Sequence, residues 1–437
     1  MNTRKPNIII ILTDCLRWDH FIQMSVSKEF DLIFRNTYSI APSTFFSIPS
    51  LLTGTLPFEL SNKAIIPRGL SFYLPNLLVK EGYLTIFITG NIVTSRFFGY
   101  KQGDHILFED FISRKATDIR ALKNTNKEGA KKKIKEVLIK KAPFLYHTIS
   151  DTLKYLRYWS FKLGVHKQFT DQNVNFDSKI RAYEIIDAFE NMLPPNPNSP
   201  IFAFLHFMDT HTPYGPPDEP INKLKNLETL IAKLYTNPQN ITEEEKATVA
   251  EMYRKEVAFL DQQLKKLLGL IGEKLGRKNT LIILISDHGE LLGEDGKYLH
   301  PDNVLNEFTL HVPLAVTGLN SKNKLAKFEN NLVSSLSVYY LITNLLFNGK
   351  YYIPELSEAI SIGYTKNIER VYSPYNIFIK RGKSFEKVYV LEETPELKIK
   401  FENLLASRRR RTLLLKLNKI NLHKYATEPG SITLNTI

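Results

Sequence analysis

Three segments far apart in the chain carry residue types that bind cations and oxyanions. The most specific is Ser286-Asp287-His288-Gly289-Glu290. A carboxylate beside an imidazole offers a hard oxygen and a borderline nitrogen to one divalent cation, and Gly289 lets the backbone turn away without crowding it. Asp14 closes the apolar run Asn7 to Thr13. Buried without a partner it would be costly, so a cation is its natural companion; a helix N-cap for Leu16 onward is the plainer alternative. The third segment, HFMDTHTPYGPP at 206–217, sets His206, Asp209 and His211 beside a rigid Pro/Tyr loop. A histidine there can protonate a leaving-group oxygen or clamp an oxyanion, against a purely structural role that fits His206 better than His211. His300, in GKYLHPDN, is a further positive donor a short loop beyond, and Lys297 is a weaker candidate for the same role.

A nucleophile can come from residues 41–57, APSTFFSIPSLLTGTLP, where Ser43, Thr44, Ser47 and Ser50 lead into a helix. The free amides of a helix N-terminus favour an anion, and a hydroxyl there that touches a metal can lose its proton and attack phosphorus or sulfur. Residue types alone do not choose among the four. Taken alone, the stretch is a Ser/Thr-rich helix cap.

The elements that must position these groups follow from hydrophobic patterning. Asn7 to Thr13 is a continuous apolar, β-branched run, as in a strand buried on both faces of a parallel sheet. Leu84 to Thr89, Ile201 to Met208 and Leu281 to Ser286 repeat it, with helical stretches between. Met252, Val257, Leu260, Leu264, Leu267 and Leu268 share one face of a helix within Thr242 to Lys274. Asp14, Asp209-Thr210-His211 and Asp287-His288-Gly289 all follow strand ends, the edge of an open α/β sheet at which ligands bind. The expected fold is α/β: a mostly parallel central sheet sandwiched by helices, in a domain over 1–357. A basic, aromatic helical insertion is expected over about 115–180. A small C-terminal antiparallel subdomain is expected over 358–437, with strands Ala359 to Tyr364, Ile377 to Arg381 and Lys387 to Leu391 and a helix from Pro395 to Ala406.

With 437 residues the chain can bury one large core, and 43% hydrophobic with 24% charged residues is an ordinary globular composition. No stretch reaches the roughly 18 apolar residues of a membrane span, and the basic N-terminus runs into Asp14 without a cleavage site. A cytoplasmic protein is expected, and one cysteine, Cys15, excludes an internal disulfide. The net charge of +13 gathers in Arg120 to Lys167 and in Arg408 to Arg411. Solvated helix faces are its plainest reading, and peripheral contact with an anionic membrane surface the alternative. No nucleic-acid motif accompanies it, so no nucleic-acid partner is expected.

Taken together the segments resemble the sulfatase family, within the alkaline-phosphatase superfamily. PNIIIILTDCLRWDH is similar to that family's opening metal strand, SLLTGTLP to the helix after its nucleophile, and GYLTIFITGN to its second strand. DTHTPYGPP, the helix ending in FLDQQLKKLL, LIILISDHGELLGE and HVPLAVTG complete the series. Counting back from Leu51-Leu52-Thr53-Gly54, the resemblance puts the nucleophile at Thr44. Typical sulfatases carry there a cysteine or serine that becomes formylglycine. Threonine at 44, with Phe46 and Ile48 in place of the motif's proline and arginine, implies no formylglycine, and the usual Asp-Asp pair is Asp14-Cys15.

The set Asp14, Thr44, Asp287 and His288 resembles the mononuclear site of phosphonate monoester hydrolases and phosphoethanolamine or phosphoglycerol transferases. That implies one divalent ion, manganese or zinc ahead of calcium or magnesium. His211 and His300 are expected to stabilise developing charge, and Asp209, Lys297 and Arg17 to meet the substrate. The resulting expectation is hydrolysis of a sulfate or phosphate ester on a glycan or lipid-linked molecule. A transferase acting on a glycan, and a silent binding protein that keeps the fold, are the alternatives.

Overall fold

A computed structural model describes residues 5–55, 66, 69–103, 105–111, 179–195, 197–219, 221–301, 304–318, 328–349, 358–364, 375–381 and 384–389. The strands, in chain order, are β1 (Asn7–Thr13), β2 (Leu32–Tyr38), β3 (Leu84–Thr89), β4 (Ile106–Asp110), β5 (Ile201–Phe207), β6 (Thr280–Ser286), β7 (Leu291–Leu292), β8 (Tyr298–Leu299), β9 (Leu314–Thr317), β10 (Phe328–Ser334), β11 (Glu358–Tyr364), β12 (Tyr375–Arg381) and β13 (Ser384–Tyr389). The longer helices are α1 (Thr44–Thr53), α2 (Leu74–Lys80), α3 (Ala182–Met192), α4 (Ile221–Thr236), α5 (Glu243–Leu275) and α6 (Ser337–Asn348).

Eight strands form one sheet in the order β10-β2-β9-β6-β1-β5-β3-β4. The four strands expected from sequence, β3, β5, β1 and β6, are contiguous and parallel. β4 continues that parallel set, while β9 runs antiparallel to both β6 and β2. β2, β4, β9 and β10 were not among the expected strands. β9 is only four residues long, and β2 is interrupted by exposed Arg35 and half-buried Asn36, so neither shows a long apolar run.

Strand alternation divides the core between two helical layers. Ile9 and Ile11 of β1 face the layer built by α3 and α5, with Ile185, Phe189, Tyr253, Leu260 and Leu264. Ile8, Ile10 and Leu12 face the layer of α1, α2 and α6, with Ile48, Leu52, Leu74, Leu78 and Ile342. All six apolar residues expected on one face of the long helix are buried, and α5 is capped as its sequence dictates: Thr242 accepts from the Glu245 amide, and the Glu245 carboxylate accepts from that of Thr242.

A separate three-stranded antiparallel sheet, β11-β12-β13, is present in the C-terminal region as expected; its strands start one to three residues earlier than expected, the first two end where expected and the third ends two residues sooner. The expected basic insertion (but for its last residues, Lys179 and Ile180), the helix from Pro395 to Ala406 and the Arg408 to Arg411 run lie outside the described residues. Among the described residues no helix is long and apolar enough to cross a membrane.

Candidate active site

β1, β5 and β6 lie side by side and end together, bringing Asp14, His206 and Asp287 to one edge. The end of β1 is pinned on both sides: Asp14 N–H donates to Phe207 O at 2.9 Å, and Leu16 N–H donates to Ser286 Oγ at 3.0 Å. The Asp14 carboxylate is fully buried. Its Oδ2 accepts from Asn91 Nδ2 at 2.9 Å and lies 3.1 Å from His206 Nε2, while His206 Nδ1 sits 3.1 Å from Thr89 Oγ1 and 3.2 Å from Thr94 Oγ1. β3 and its following loop thus hold the ring that orients Asp14.

Of the four candidate hydroxyls only that of Thr44, the first residue of α1, reaches this edge. Its Oγ1 is 3.3 Å from Asp14 Oδ2 and 3.1 Å from His288 Nε2. Ser43, Ser47 and Ser50 are buried with hydroxyls that have no hydrogen-bond partner among the described residues. His288 Nε2 also lies 3.6 Å from Asp14 Oδ1 and 3.4 Å from Asp287 Oδ2. Tetrahedral coordination at metal–nitrogen and metal–oxygen lengths of about 2.0–2.2 Å requires donors about 3.3 Å apart, which the Thr44–Asp14, Thr44–His288 and His288–Asp287 spacings match.

Two further observations fit a cation among these donors. Asp287 Oδ2 is buried and unpartnered, the lone orphan of this cluster among the described residues. His288 Nδ1 lies 2.9 Å from Gly289 O, so it carries the proton and leaves the Nε2 lone pair for a metal. The turn that permits this needs glycine, because a Cβ at 289 would stand 1.9 Å from Phe308 O.

Electrostatics separate the two carboxylates. Burial raises Asp14, but His211, His206 and His288 outweigh it and hold the group well below the usual carboxylate range. Asp287 is pushed up by burial and then by the charge of Asp14, which together outweigh the pull of His206. Two buried carboxylates repel unless a cation lies between them. Burial, reinforced by His300, lowers His288 to about 4, so its imidazole is neutral and suited to ligate.

A second group of side chains borders the first. His300 Nδ1 donates to Glu290 Oε2 at 2.8 Å; burial alone would lower this histidine, yet the Glu290 carboxylate carries it up to about 9. His211 is lowered, chiefly by burial and against the pull of Asp14, and its Nδ1 is tied to Thr212 O. The two rings lie 5.0 Å apart, and His300 lies 4.5 Å from His288. A cationic imidazole therefore borders His288 at the sheet edge, with a neutral one next to it.

The sulfatase family model matches residues 6–346, most of the chain. The chain belongs to the sulfatase family. The phosphoethanolamine transferase EptA of Helicobacter pylori is 23% identical over 165 residues, 33% of this chain and 30% of that protein, so the match spans under a third of that relative. Among solved structures, the 2-O GAG sulfatase BT1596 superposes with TM-score 0.56 at 14% identity, covering 97% of this chain and 94% of its own. The phosphonate monoester hydrolase of Silicibacter pomeroyi gives TM-score 0.55 at 12% identity, over 94% and 95%. At such identities the structures share the alkaline-phosphatase-like fold.

Within this family frame the structure sorts the expected site residues. Asp14, Thr44, Asp287 and His288 come together, with His211 and His300 beside them. Three others are not brought to the cluster. Arg17 is buried and committed, its guanidinium paired with Asp19 and Glu294 at 2.7 and 2.6 Å and lying over the Phe308 ring. Asp209 turns toward α3, where its Oδ1 accepts from Ala182 N–H at 3.2 Å. Lys297 is exposed on the turn before β8. Each sits two or three residues from a site residue in sequence, but Arg17 and Asp209 are drawn away by partners elsewhere and Lys297 faces solvent.

Residue-by-residue reading missed Asn91, Glu290, Thr89 and Thr94. Asn91 is the second residue past the end of β3, the sheet edge that should have been read for polar groups there as at the other strand ends. Glu290 stood inside the most specific motif and received no role.

Proposed function

We propose that the chain is a metal-dependent hydrolase of phosphate or sulfate esters in which Thr44 is the nucleophile. The observation that carries the reading is the placement of Thr44 Oγ1 against Asp14 and His288, beside the orphaned Oδ2 of Asp287. Asp14, Thr44, Asp287 and His288 would hold one divalent ion, manganese or zinc by their mixed oxygen and nitrogen donors. Such an ion supplies a lowered hydroxyl pKa and polarises the ester oxygen.

The chain's own residues do the rest. Thr44 Oγ1 attacks phosphorus or sulfur as its proton leaves to an adjacent base, and the bond to the leaving alcohol breaks. His300, carrying a proton at neutral pH, donates to the departing oxygen or neutralises the non-bridging ones. His211, neutral there, takes a proton from the water or acceptor alcohol that frees Thr44. Phosphorus is favoured over sulfur because a sulfo-threonine would turn over poorly by water attack, whereas a phospho-threonine can be released.

The match to phosphoethanolamine transferase EptA supports a second reading, in which an acceptor hydroxyl on a glycan replaces water. The proposed substrate in both is an anionic ester on a glycan or lipid-linked molecule. Assaying wild type and Thr44→Ala against p-nitrophenyl sulfate, a phosphate monoester, a phosphodiester and a phosphonate tests the proposal. Metal-dependent cleavage of a phosphorus ester that the variant loses supports it. Equal inactivity of both proteins on all four, with and without added metal, would overturn the hydrolase and leave the transfer reaction to be assayed with an acceptor.

A further inference from the structure

The loop between β3 and β4 carries an arginine that the proposed ester chemistry does not use. Arg96 lies between two contacts with the site. Two residues before it, Thr94 Oγ1 is 3.2 Å from His206 Nδ1, and His206 Nε2 is 3.1 Å from Asp14 Oδ2. Two residues after it, the Phe98 ring meets that of Phe45, the neighbour of Thr44, in a T-shaped contact at 5.9 Å. The arginine itself is held by the end of β4. Its backbone N–H and its Nε–H both donate to Asp110 Oδ2, at 3.1 and 2.9 Å, and the Asp110 carboxylate is buried.

An arginine that serves only to neutralise a buried carboxylate does so best through two parallel bonds to its two oxygens. Arg96 instead gives one side-chain nitrogen, Nε, to one oxygen, and its side chain stays 44% exposed. Nη1 and Nη2 have no hydrogen-bond partner among the described residues, so a firmly based fork is left for a ligand. That planar fork matches a phosphate, sulfate or carboxylate. The other cations described near this edge are engaged, Arg17 with Asp19 and Glu294, Lys179 and Arg181 with Glu256. One row of paired residues crosses the sheet from the site to this arginine: Leu12 beside His206, His206 beside Thr89, Thr89 beside Asp110. Three strand spacings, about 14 Å, separate the ends of that row.

We infer that Arg96 anchors a second anion subsite, which takes a phosphate, sulfate or carboxylate carried by the same substrate about 14 Å from the ester at Thr44. The substrate is then a chain with anionic groups at intervals and not a lone ester, and Arg96 sets which of its esters stands over Thr44. Asp110 is the positioning residue: by fixing Nε it aims the fork before the substrate arrives, so less side-chain freedom is lost on binding. The catalytic meaning of the subsite rests on the role proposed for Thr44, whereas capture of an anion by the guanidinium does not.

Calorimetric titration of the full, metal-loaded chain with two alkylphosphonates is the test. One is an α,ω-bisphosphonate whose spacer crosses three strand spacings, and the other has the same length but ends in a hydroxyl. The ratio of their dissociation constants within each protein is the readout, so a general loss of folded protein or of metal cancels. Wild type should favour the bisphosphonate on the order of 10–100-fold, as a charge-assisted fork on a full anion provides, and a bisphosphonate too short to span should show no such preference. In Arg96→Gln the ratio should fall to near one. That variant takes a cation from the buried Asp110 and can fail to fold, so Arg96→Gln combined with Asp110→Asn, which removes both charges, must show the same fall. Equal affinity for the two compounds in wild type, or a preference that survives in either variant, would overturn the inference. So would an equal gain when inorganic phosphate is added to the hydroxyl-ended compound, because Arg96 would then take a free anion. If the hydroxyl-ended compound binds no better with metal than without it, the Thr44 centre fails on its own. Bisphosphonate binding then decides the subsite alone, its loss in Arg96→Gln supporting it and its persistence overturning it.

Discussion

Thr44 Oγ1 stands 3.1 Å from His288 Nε2, the nitrogen left with a lone pair because His288 Nδ1 is tied to Gly289 O at 2.9 Å. The threonine hydroxyl therefore meets only acceptors, Nε2 and Asp14 Oδ2, and its own lone pairs are free for a metal or an ester. If this oxygen is the nucleophile, Thr44→Ala should lower turnover of an activated phosphorus ester on the order of 10³-fold or more. Thr44→Ser, which keeps the oxygen and loses only the methyl group that restricts its rotamer, should retain most of the rate. Steady-state kinetics on the two variants checks this. Equal loss in both would assign the effect to packing of α1.

Asp287 offers a prediction about stability without reference to catalysis. Its buried carboxylate is raised by burial and by Asp14, so in a chelator Asp287→Asn should melt above the wild type. With manganese or zinc in excess the order should reverse. Wild type at 100 times its dissociation constant gains about 2.7 kcal/mol, and the variant gains much less. Thermal melts in chelator and in metal give both halves of the comparison.

Lys179 clamps the loop that carries His211. Its buried ammonium donates to the carbonyls of Asp209, His211 and Pro213 at 2.6, 2.9 and 2.8 Å and to Glu256 Oε1 at 3.0 Å, while Arg181 holds the same glutamate. Lys179→Met removes the charge and leaves these carbonyls unpaired, at a cost of about 3–5 kcal/mol. The loop should then move His211, so kcat falls while bound metal, measured on the same preparation, stays the same. Lost metal together with lost kcat would mean that the damage extends to β1 and β6.

How far the sequence reveals such a site depends on how far side-chain direction follows from local pattern. Asp14 and Asp287 each end an uninterrupted run of buried β-branched and aliphatic residues, the pattern of strands inside a parallel sheet, so their arrival at one sheet edge was legible. Thr44 was legible by its distance from Leu51 and Gly54 in a recognised motif, and not by chemistry, since Ser43, Ser47 and Ser50 are equally good hydroxyls. The directions of Arg17, Asp209 and Lys297 depend on partners distant in sequence, Glu294 and Ala182 among them, which no local pattern reports. The antiparallel β9 was missed for the same reason: four residues between a proline and a glycine show no period, and only pairing with β2 and β6 makes them a strand.

Asp209 should leave a mark on the pH dependence of stability. Burial, with the charge of Glu256, raises it to about 7 against the pull of Lys179 and Arg181. The folded state therefore binds this proton more tightly than the unfolded chain, whose aspartate titrates at about 3.9. Stability from this group is full below about pH 4 and is lost as the pH rises to about 7, a change on the order of a few kcal/mol. Asp209→Asn lacks that slope, so its urea stability relative to wild type should rise across that window and level off above it. A constant difference from pH 4 to 8 would contradict the assignment.

The most direct test of the whole account is to trap the covalent intermediate. Wild-type protein loaded with manganese or zinc would be mixed with an activated phosphodiester or phosphonate ester, quenched in acid within the first turnovers, digested and mapped by mass spectrometry. The phosphorus-containing group should be found on Thr44, should depend on the metal, and should be absent from Asp287→Asn. The same label on Ser43 or Ser47, or rapid metal-dependent turnover in Thr44→Ala, would contradict Thr44 as the nucleophile of this site.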